Sequence, residues 1–241
     1  MDETRAPYKS EHYTAAFLSA GRIHLQAGLT AYDVQAPALI TLGPGVIRSI
    51  IQQPEAAIKT LYFKDAFLLL KHNFFENSDL HVLALKDLLL IKTQRIFDLI
   101  ALTTGEEIIR HYIFALIYEI DAYYKQHPPA ISHPVFTKFS QLLHRYSIQE
   151  HRLDFYALQL EMTPKYLSAF IKKHTGKSAG EWIDQSILLE AKVLLQNEQL
   201  SIAEVSNALH FSDQSVFGKF FRANTGTTPI AWRASIKNPS L

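Results

Sequence analysis

Basic side chains recur on two stretches near the C-terminus, at a spacing that suits binding to a polyanion. Lysine and arginine bind phosphate oxygens through charge and hydrogen bonds. Apolar residues in both stretches repeat at steps of three and four, which predicts helices whose basic side chains share an outer face. A solvated protein surface is the alternative interpretation of any such group of charges. The first stretch carries Lys165, Lys172, Lys173 and Lys177, and the second carries Lys219, Arg222 and Arg233.

The charge of the chain is unevenly distributed. The 241 residues have a net charge of +1. From Lys138 onward there are 12 Lys and Arg against 9 Asp and Glu, whereas the first 137 residues hold 12 against 14. The C-terminal part is therefore modestly basic, which permits contact with nucleic acid but does not by itself establish it.

The two basic stretches belong to two copies of one unit. The segment 175–182 aligns with 225–232 at an offset of 50 residues, and both copies begin with Thr-Gly and end with Trp. Apolar residues upstream also align, with Leu167, Phe170 and Ile171 over Phe217, Phe220 and Phe221. A duplicated supersecondary unit explains this periodicity.

Each copy reads as a short helix, a tight turn and a longer helix. Small residues, Ala157 and Ser206, occupy equivalent places where the two helices of a unit would cross. This arrangement is typical of a helix-turn-helix unit that presents its second helix to a major groove. The helix starts and stops are signalled by Thr163-Pro164 and Gly176 in the first copy, and by Ser201 with Glu204, Ser212 or Asp213, and Gly226 in the second.

A helix predicted from Ser178 to about Gln196 connects the copies. Its length of about 28 Å at 1.5 Å per residue is close to the roughly 34 Å of one DNA turn. The two longer helices could therefore enter successive major grooves on one side of a duplex.

The N-terminal third favours strands. Short β-type runs at 13–19, 21–26, 39–42, 46–51 and 58–63 are separated by turn signals, among them Gly21, Gly28, Asp33 and Pro37. This spacing predicts a small sandwich or partial barrel.

Two helices are predicted next, one from about Leu83 to Leu102 and another after Gly105. The second has an apolar stripe, which would pack either on its own β domain or against a second copy of the chain as a dimer seam. Prolines between His127 and Pro134 predict a linker. The stripe consists of Ile109, Tyr112, Ile113, Leu116, Ile117 and Ile120.

The C-terminal motifs resemble those of the AraC/XylS family of bacterial transcription regulators. The resemblance runs from about Leu153 to Arg233 and includes Met162-Thr-Pro-Lys-Tyr-Leu167, Ser201-Ile-Ala-Glu-Val205, Phe211-Ser-Asp-Gln-Ser215 and Thr225-Gly-Thr-Thr-Pro229. It implies an α+β protein with a small N-terminal partial β-barrel of cupin-like type. The implied domains are a truncated sensor at 1–82, a helical dimerisation segment at 83–127, a linker at 128–137 and an all-α DNA-binding domain with two helix-turn-helix units at 138–241.

The resemblance also implies which residues contact double-stranded DNA. Lys165, Tyr166, Ser168 and Ala169 would face the first groove, and Gln214, Ser215, Gly218 and Lys219 the second, while Lys172, Lys173 and Arg222 would contact phosphate. Further implied partners are a second copy of the chain, a small-molecule effector and RNA polymerase.

Several positions depart from the family pattern, including the linking helix, which lacks the arginine often found near Ser186 or Ile187. Ala169 stands where the first recognition helix often carries an arginine, which removes a guanine contact worth about 1–3 kcal/mol of discrimination. Glu161 and His210 stand where each turn commonly has glycine, and a non-glycine residue at positive φ costs about 1–2 kcal/mol.

Other classes of function are disfavoured. The chain has no cysteine, and its 11 histidines show no ligand spacing with carboxylates, so we expect no metal site, no cofactor and no enzymatic activity. No apolar stretch is long enough to span a membrane, and the polar N-terminus is unlike a signal peptide, so we expect a cytoplasmic protein. The alternative to a regulator is an interaction module or antagonist that has lost specific DNA reading.

Overall fold

The computed structural model describes residues 6–52, 55–64, 81–126 and 134–237. The chain divides into two compact units, one built from strands followed by two helices and the other entirely from helices. The α+β class predicted from the sequence is therefore confirmed. The linker residues 128–133 and residues 65–80 of the predicted sensor lie outside the described part of the chain.

The strands of the first unit form two four-stranded sheets. Their orders are β1-β6-β3-β4 and β7-β2-β5-β8, and the neighbours whose registers are defined are antiparallel. The strands are β1 (Tyr8–Lys9), β2 (Tyr13–Ala20), β3 (Arg22–Ala27), β4 (Thr30–Gln35), β5 (Ala38–Leu42), β6 (Ile47–Gln52), β7 (Ala57–Phe63) and β8 (His81–Ala84).

A common apolar core lies between the two sheets. Strand β3 shows the alternation that produces it, because Ile23, Leu25 and Ala27 are buried while the residues between them are exposed. These side chains pack against Leu18 and Ile40 of the other sheet. The predicted sandwich or partial barrel thus takes the form of two packed sheets.

Strand β4 corrects one turn that the sequence predicted. Asp33 lies inside β4 rather than in a turn, directly opposite His24 of β3. The Asp33 carboxylate and His24 Nδ1 lie 2.6 Å apart on the exposed face of the sheet. A polar residue on the solvent side of an edge strand gives the same local signal as a turn, so the sequence alone could not distinguish them.

Two helices cover the second sheet on its outer face, α1 (Asp87–Leu102) and α2 (Glu106–Gln126). The predicted start of α1 at Leu83 is wrong, because Leu83 belongs to β8 and pairs with Leu39 of β5. The apolar run Val82-Leu83-Ala84-Leu85 fits either a strand or a helix, and only pairing with β5 decides between them. The predicted boundary between a sensor and a helical segment therefore falls inside the sheet.

The apolar stripe of α2 packs on its own sheet. Ile113, Leu116 and Ile117 are buried in one cluster with Phe17 of β2 and Leu39 of β5. Of the two interpretations open from the sequence, packing on the β domain is the one observed, and a dimer seam made by this stripe is wrong.

The second unit consists of α3 (Pro134–Tyr146), α4 (Leu153–Gln159), α5 (Pro164–Thr175), α6 (Ala179–Leu195), α7 (Ile202–Ala208), α8 (Gln214–Thr225) and α9 (Pro229–Lys237). Pro134 is the first residue of α3, so the helix begins inside the predicted 128–137 linker. A proline is tolerated there because the first helical N–H has no partner within the helix.

Helix α6 belongs to both halves of this unit. Ile183 and Ile187 are buried in a cluster with α4 and α5, whereas Ala191 and Leu195 are buried in a second cluster with α7 and α8. Phe211 packs against both clusters. The helix that the sequence predicted as a connector is therefore a shared part of two cores.

The turn of each helix-turn-helix unit holds a non-glycine residue in the left-handed region. Glu161 has φ 55° and His210 has φ 56°. The sequence predicted strain at these two positions from the absence of glycine, and the observed backbone has the conformation that causes it.

Replacing either residue with glycine should stabilise the C-terminal unit. We expect Glu161→Gly and His210→Gly each to raise the free energy of unfolding by about 0.5–1 kcal/mol, because relief of strain exceeds the entropy that glycine adds to the unfolded chain. Urea unfolding followed by tryptophan fluorescence measures this unit selectively, since both tryptophans, Trp182 and Trp232, lie in it.

The matched control is Ala203→Gly in α7, where φ is helical and glycine should cost about 1 kcal/mol. Destabilisation by all three glycine variants would show that the turns are not strained.

Candidate nucleic-acid interface

Helix α5 is delimited by the signals read from the sequence. The Thr163 hydroxyl accepts a hydrogen bond from the Tyr166 N–H at 3.3 Å, and Pro164 occupies the first helical position. Gly176 ends the helix in the left-handed conformation, with φ 80°. The predicted cap and stop are both confirmed, so the position of each side chain on α5 is fixed locally.

The second helix-turn-helix unit has equivalent signals. Ser201 and Glu204 form the predicted capping box at the start of α7. Of the two candidates for the cap of α8, Asp213 is the observed one, and its carboxylate accepts from the Ser215 N–H at 2.7 Å and the Val216 N–H at 2.9 Å. These N–H groups hold the pKa of the Asp213 carboxyl below its ordinary value, the Val216 bond contributing most.

Each longer helix buries one face. Leu167 and Ile171 of α5 and Phe217 and Phe221 of α8 are fully buried at equivalent positions of the two copies. The small residues predicted at the helix crossings, Ala157 and Ser206, are buried as well. The outer faces of α5 and α8 are therefore determined by the packing of the opposite faces.

The predicted contact residues lie on these outer faces. Two of them, Ser168 and Gly218, occupy equivalent half-buried positions 50 residues apart. The other nine are exposed: Lys165, Tyr166, Ala169, Lys172, Lys173, Gln214, Ser215, Lys219 and Arg222. Their exposure permits the predicted role, which itself stays a prediction.

The basic residues of these faces remain available for a ligand. Within the described part of the chain, no ion pair involves Lys165, Lys172, Lys173, Lys219 or Arg222. A surface lysine or arginine without an internal ion pair keeps its charge accessible to an external anion.

Two basic residues that the sequence placed beside this group have internal contacts instead. Lys177 Nζ donates to Gln185 Oε1 at 3.0 Å and lies 5.8 Å from the ring centroid of Trp182. Arg233 Nε donates to the carbonyl of Leu195 at 2.9 Å, which links α9 to the last turn of α6. Both side chains therefore help to hold the fold. The sequence shows only that they are charged and does not show which partners they contact.

An aromatic array along α5 was not anticipated. The ring centroids of Tyr166 and Phe170 lie 6.3 Å apart, and those of Phe170 and His174 lie 4.2 Å apart in a stacked arrangement. The spacing of four residues was visible in the sequence and could have indicated it. Tyr166 is 58% exposed, so its ring offers a flat apolar surface beside the basic residues.

Residues 156–235 match a family model described as a helix-turn-helix domain. The Msm operon regulatory protein of Streptococcus mutans is 37% identical over 87 residues, and the regulatory protein PocR of Salmonella typhimurium is 34% identical over 89 residues. Over this region the chain is similar to bacterial transcription regulators of the AraC/XylS type. The resemblance read from the motifs is thereby confirmed for this AraC-type domain.

The matches to the curated relatives cover only part of each chain. They cover 36% and 37% of this chain, and 31% and 29% of the two relatives, so the chain spans about a third of the length of the curated relatives that it matches. Among solved structures, ToxT from Vibrio cholerae aligns over 97% of this chain and 95% of its own, with 12% identity and a TM-score of 0.47.

Across the described ranges, no helix combines the length and the apolar character needed to cross a bilayer.

Proposed function

We propose that the protein is a DNA-binding transcription regulator whose helices α5 and α8 enter successive major grooves. The observation that carries this proposal is the equivalence of the two helices. Each buries one apolar face in its own core and leaves exposed basic residues, without ion pairs among the described residues, on the outer face. Two equivalent basic helices on one chain match the successive major grooves of a duplex.

The length of α6 supports the spacing. Its 17 residues extend about 26 Å, with α5 packed near its beginning and α8 near its end. This length is of the same order as the roughly 34 Å between successive major grooves on one side of the duplex.

The proposed contacts divide into two kinds. Positions early in each recognition helix reach base edges, which for α8 means Gln214 and Ser215, directly after the Asp213 cap. Lys172, Lys173 and Arg222 lie in the last turns and contact phosphate, where they supply affinity and register rather than sequence preference.

Base recognition by α5 differs from base recognition by α8. At the Ala169 position α5 offers only a methyl group, and Tyr166 offers an exposed ring, so apolar contact with thymine methyl groups suits this helix. The Gln214 side chain of α8 has both a donor and an acceptor and suits adenine. We therefore propose that both units bind, with hydrogen-bonded base discrimination concentrated in the second.

We further propose a homodimer formed through the outer face of α1. The predicted seam on α2 is buried, but α1 exposes apolar side chains at helical spacing on the face away from its sheet. These are Leu88 at 62%, Ile91 at 56%, Leu99 at 44% and Leu102 at 84% exposed. Exposed apolar side chains on one helix face, here with Arg95 between Ile91 and Leu99, can pair with their own copies across a two-fold axis.

A small-molecule effector and contact with RNA polymerase stay predictions. Apolar side chains such as Leu18, Ile23 and Leu25 occupy the space between the two sheets. An effector in this domain would have to bind one of two conformations more tightly in order to change DNA affinity.

Two substitutions on α8 test the division of contacts. Lys219→Ala should weaken binding to a selected duplex by about tenfold and relax the preference at one base pair. Arg222→Ala should weaken binding to all duplexes by about fivefold near physiological salt and reduce the slope of log affinity against log salt by about 1. Fluorescence anisotropy across a salt series measures both effects.

Lys64→Ala, which removes an exposed lysine from the other unit, is the control and should leave DNA affinity unchanged. Unchanged affinity in Lys219→Ala would contradict the second groove contact. A wild-type protein that dimerises but binds no duplex would favour the antagonist alternative.

Gly218→Ala separates folding from binding. A Cβ at Gly218 would meet no atom within 4 Å, so alanine should stabilise α8 by about 0.5–1 kcal/mol. If α8 lies deep in a groove, the same methyl group should reduce DNA affinity. Gly180→Ala in α6 is the control, because its Cβ also meets open space but lies outside the recognition helices. Equal DNA affinity in both variants would argue against close approach at Gly218.

Ile91→Glu tests the dimer surface. Because it places a carboxylate among the exposed apolar side chains, it should weaken self-association by at least about tenfold. Sedimentation velocity of the full chain measures this, with Leu158→Glu as the control, since Leu158 is 74% exposed on α4. A dimer that persists in Ile91→Glu would place the contact elsewhere.

A further inference from the structure

His151 lies where the first helix-turn-helix unit meets the second. It is in the loop between α3 and α4, and its ring centroid lies 4.8 Å from that of Phe211, in the turn between α7 and α8. Its Nε2 lies 3.2 Å from the carbonyl oxygen of Ile148 in its own loop. The backbone of Leu209, at the end of α7, lies close enough to the ring to raise the pKa of His151. One imidazole therefore contacts both units.

The loop that carries His151 is held firmly within the first helix-turn-helix unit. The Ser186 hydroxyl of α6 donates to the Ser147 hydroxyl at 2.9 Å. The Tyr156 hydroxyl of α4 donates to the Glu150 carbonyl at 2.7 Å. Burial raises the pKa of Tyr156, so this donor keeps its proton at all physiological pH values. The loop therefore stays in place when the second helix-turn-helix unit moves relative to the first. Such a movement has to break the contacts that His151 makes with the second helix-turn-helix unit.

The surroundings of the His151 ring favour its neutral form. Burial lowers the pKa of His151, and the nearby His210 acts in the same direction, while the backbone of Ile148, the backbone of Leu209 and the charge of Asp184 each raise it by less. Burial also raises the pKa of the facing Asp184 on α6.

On the other side of the contact, Phe211 is fixed in the second helix-turn-helix unit. Its ring centroid lies 5.3 Å from that of Phe217 and 5.1 Å from that of Phe220, both in α8. A displacement of α8 would therefore carry Phe211 with it and alter the contact between Phe211 and His151.

We propose that His151 is a positioning residue that sets the angle between the two helix-turn-helix units, and through it the half-site spacing that the protein accepts. This inference rests on the proposed function. Helix α6 fixes the distance between the units, but contacts beside α6 are needed to restrain rotation about it. Each base pair turns the duplex by about 35°, so a small rotation of α8 changes which spacing fits both grooves.

The test is selection of duplexes from a random pool with the full chain, followed by measurement of the spacing between the two enriched sequence blocks. The wild-type protein should enrich one dominant spacing. His151→Ala should accept neighbouring spacings as well, reducing the preference over a one-base-pair change by at least about fivefold. Its affinity for a duplex carrying a single block should match that of the wild type. His151→Gln retains an N–H donor and should keep an intermediate preference.

The control is His111→Ala, which removes an exposed imidazole from α2 and should not alter the spacing. An unchanged spacing profile in His151→Ala, with DNA binding intact, would overturn the inference while leaving the proposed function standing. Failure of the wild-type protein to enrich any duplex would overturn the proposed function, and the inference with it.

A second variant covers the case in which His151→Ala does not fold. Phe211→Leu keeps an apolar side chain in both cores but removes the ring that faces His151, so it should broaden the accepted spacings in the same way. A spacing profile as narrow as that of the wild type in Phe211→Leu would also contradict the inference.

Discussion

The C-terminal domain depends on one helix serving two hydrophobic cores. The first half of α6 completes the core that supports α5, and its last two turns complete the core that supports α8. A helix is stiff over this length, so the two recognition helices cannot change their separation without repacking buried side chains such as Ile187 and Ala191. The proposed match to DNA is therefore built into the interior of the domain rather than into a flexible connection.

Local signals made the AraC-type domain predictable from its sequence. Caps, stops and left-handed turns depend on residues within four positions of one another, so Thr163, Ser201 and Gly226 are sufficient to define where helices begin and end. Because the unit is duplicated, the signals in one copy could be compared with those in the other. Even the departures were informative, because the absence of glycine at Glu161 and His210 correctly located backbone strain.

Elsewhere the sequence left choices that only long-range contacts resolve. The apolar stripe of α2 was compatible with two partners, and burial against Phe17 and Leu39 decides between them. The run at Val82 was compatible with a helix or a strand, and pairing with β5 makes it a strand. In the candidate site, Lys177 and Arg233 looked equivalent to their basic neighbours because charge alone gives no information about the partner of a side chain. The contact of His151 with Phe211 joins residues 60 positions apart and has no local signature.

The sheet β7-β2-β5-β8 has apolar contacts on both of its faces, and adjacent residues of one strand therefore serve different layers. Ala15 belongs to the cluster beneath α1 and α2, whereas Ala16 belongs to the cluster between the sheets. Both layers pack on the same strand, so a shift of the helical layer that moves β2 also moves the side chains that β2 contributes to the inner layer. Within this unit, the exposed apolar side chains of α1 and the interior between the two sheets are thus mechanically connected through one strand.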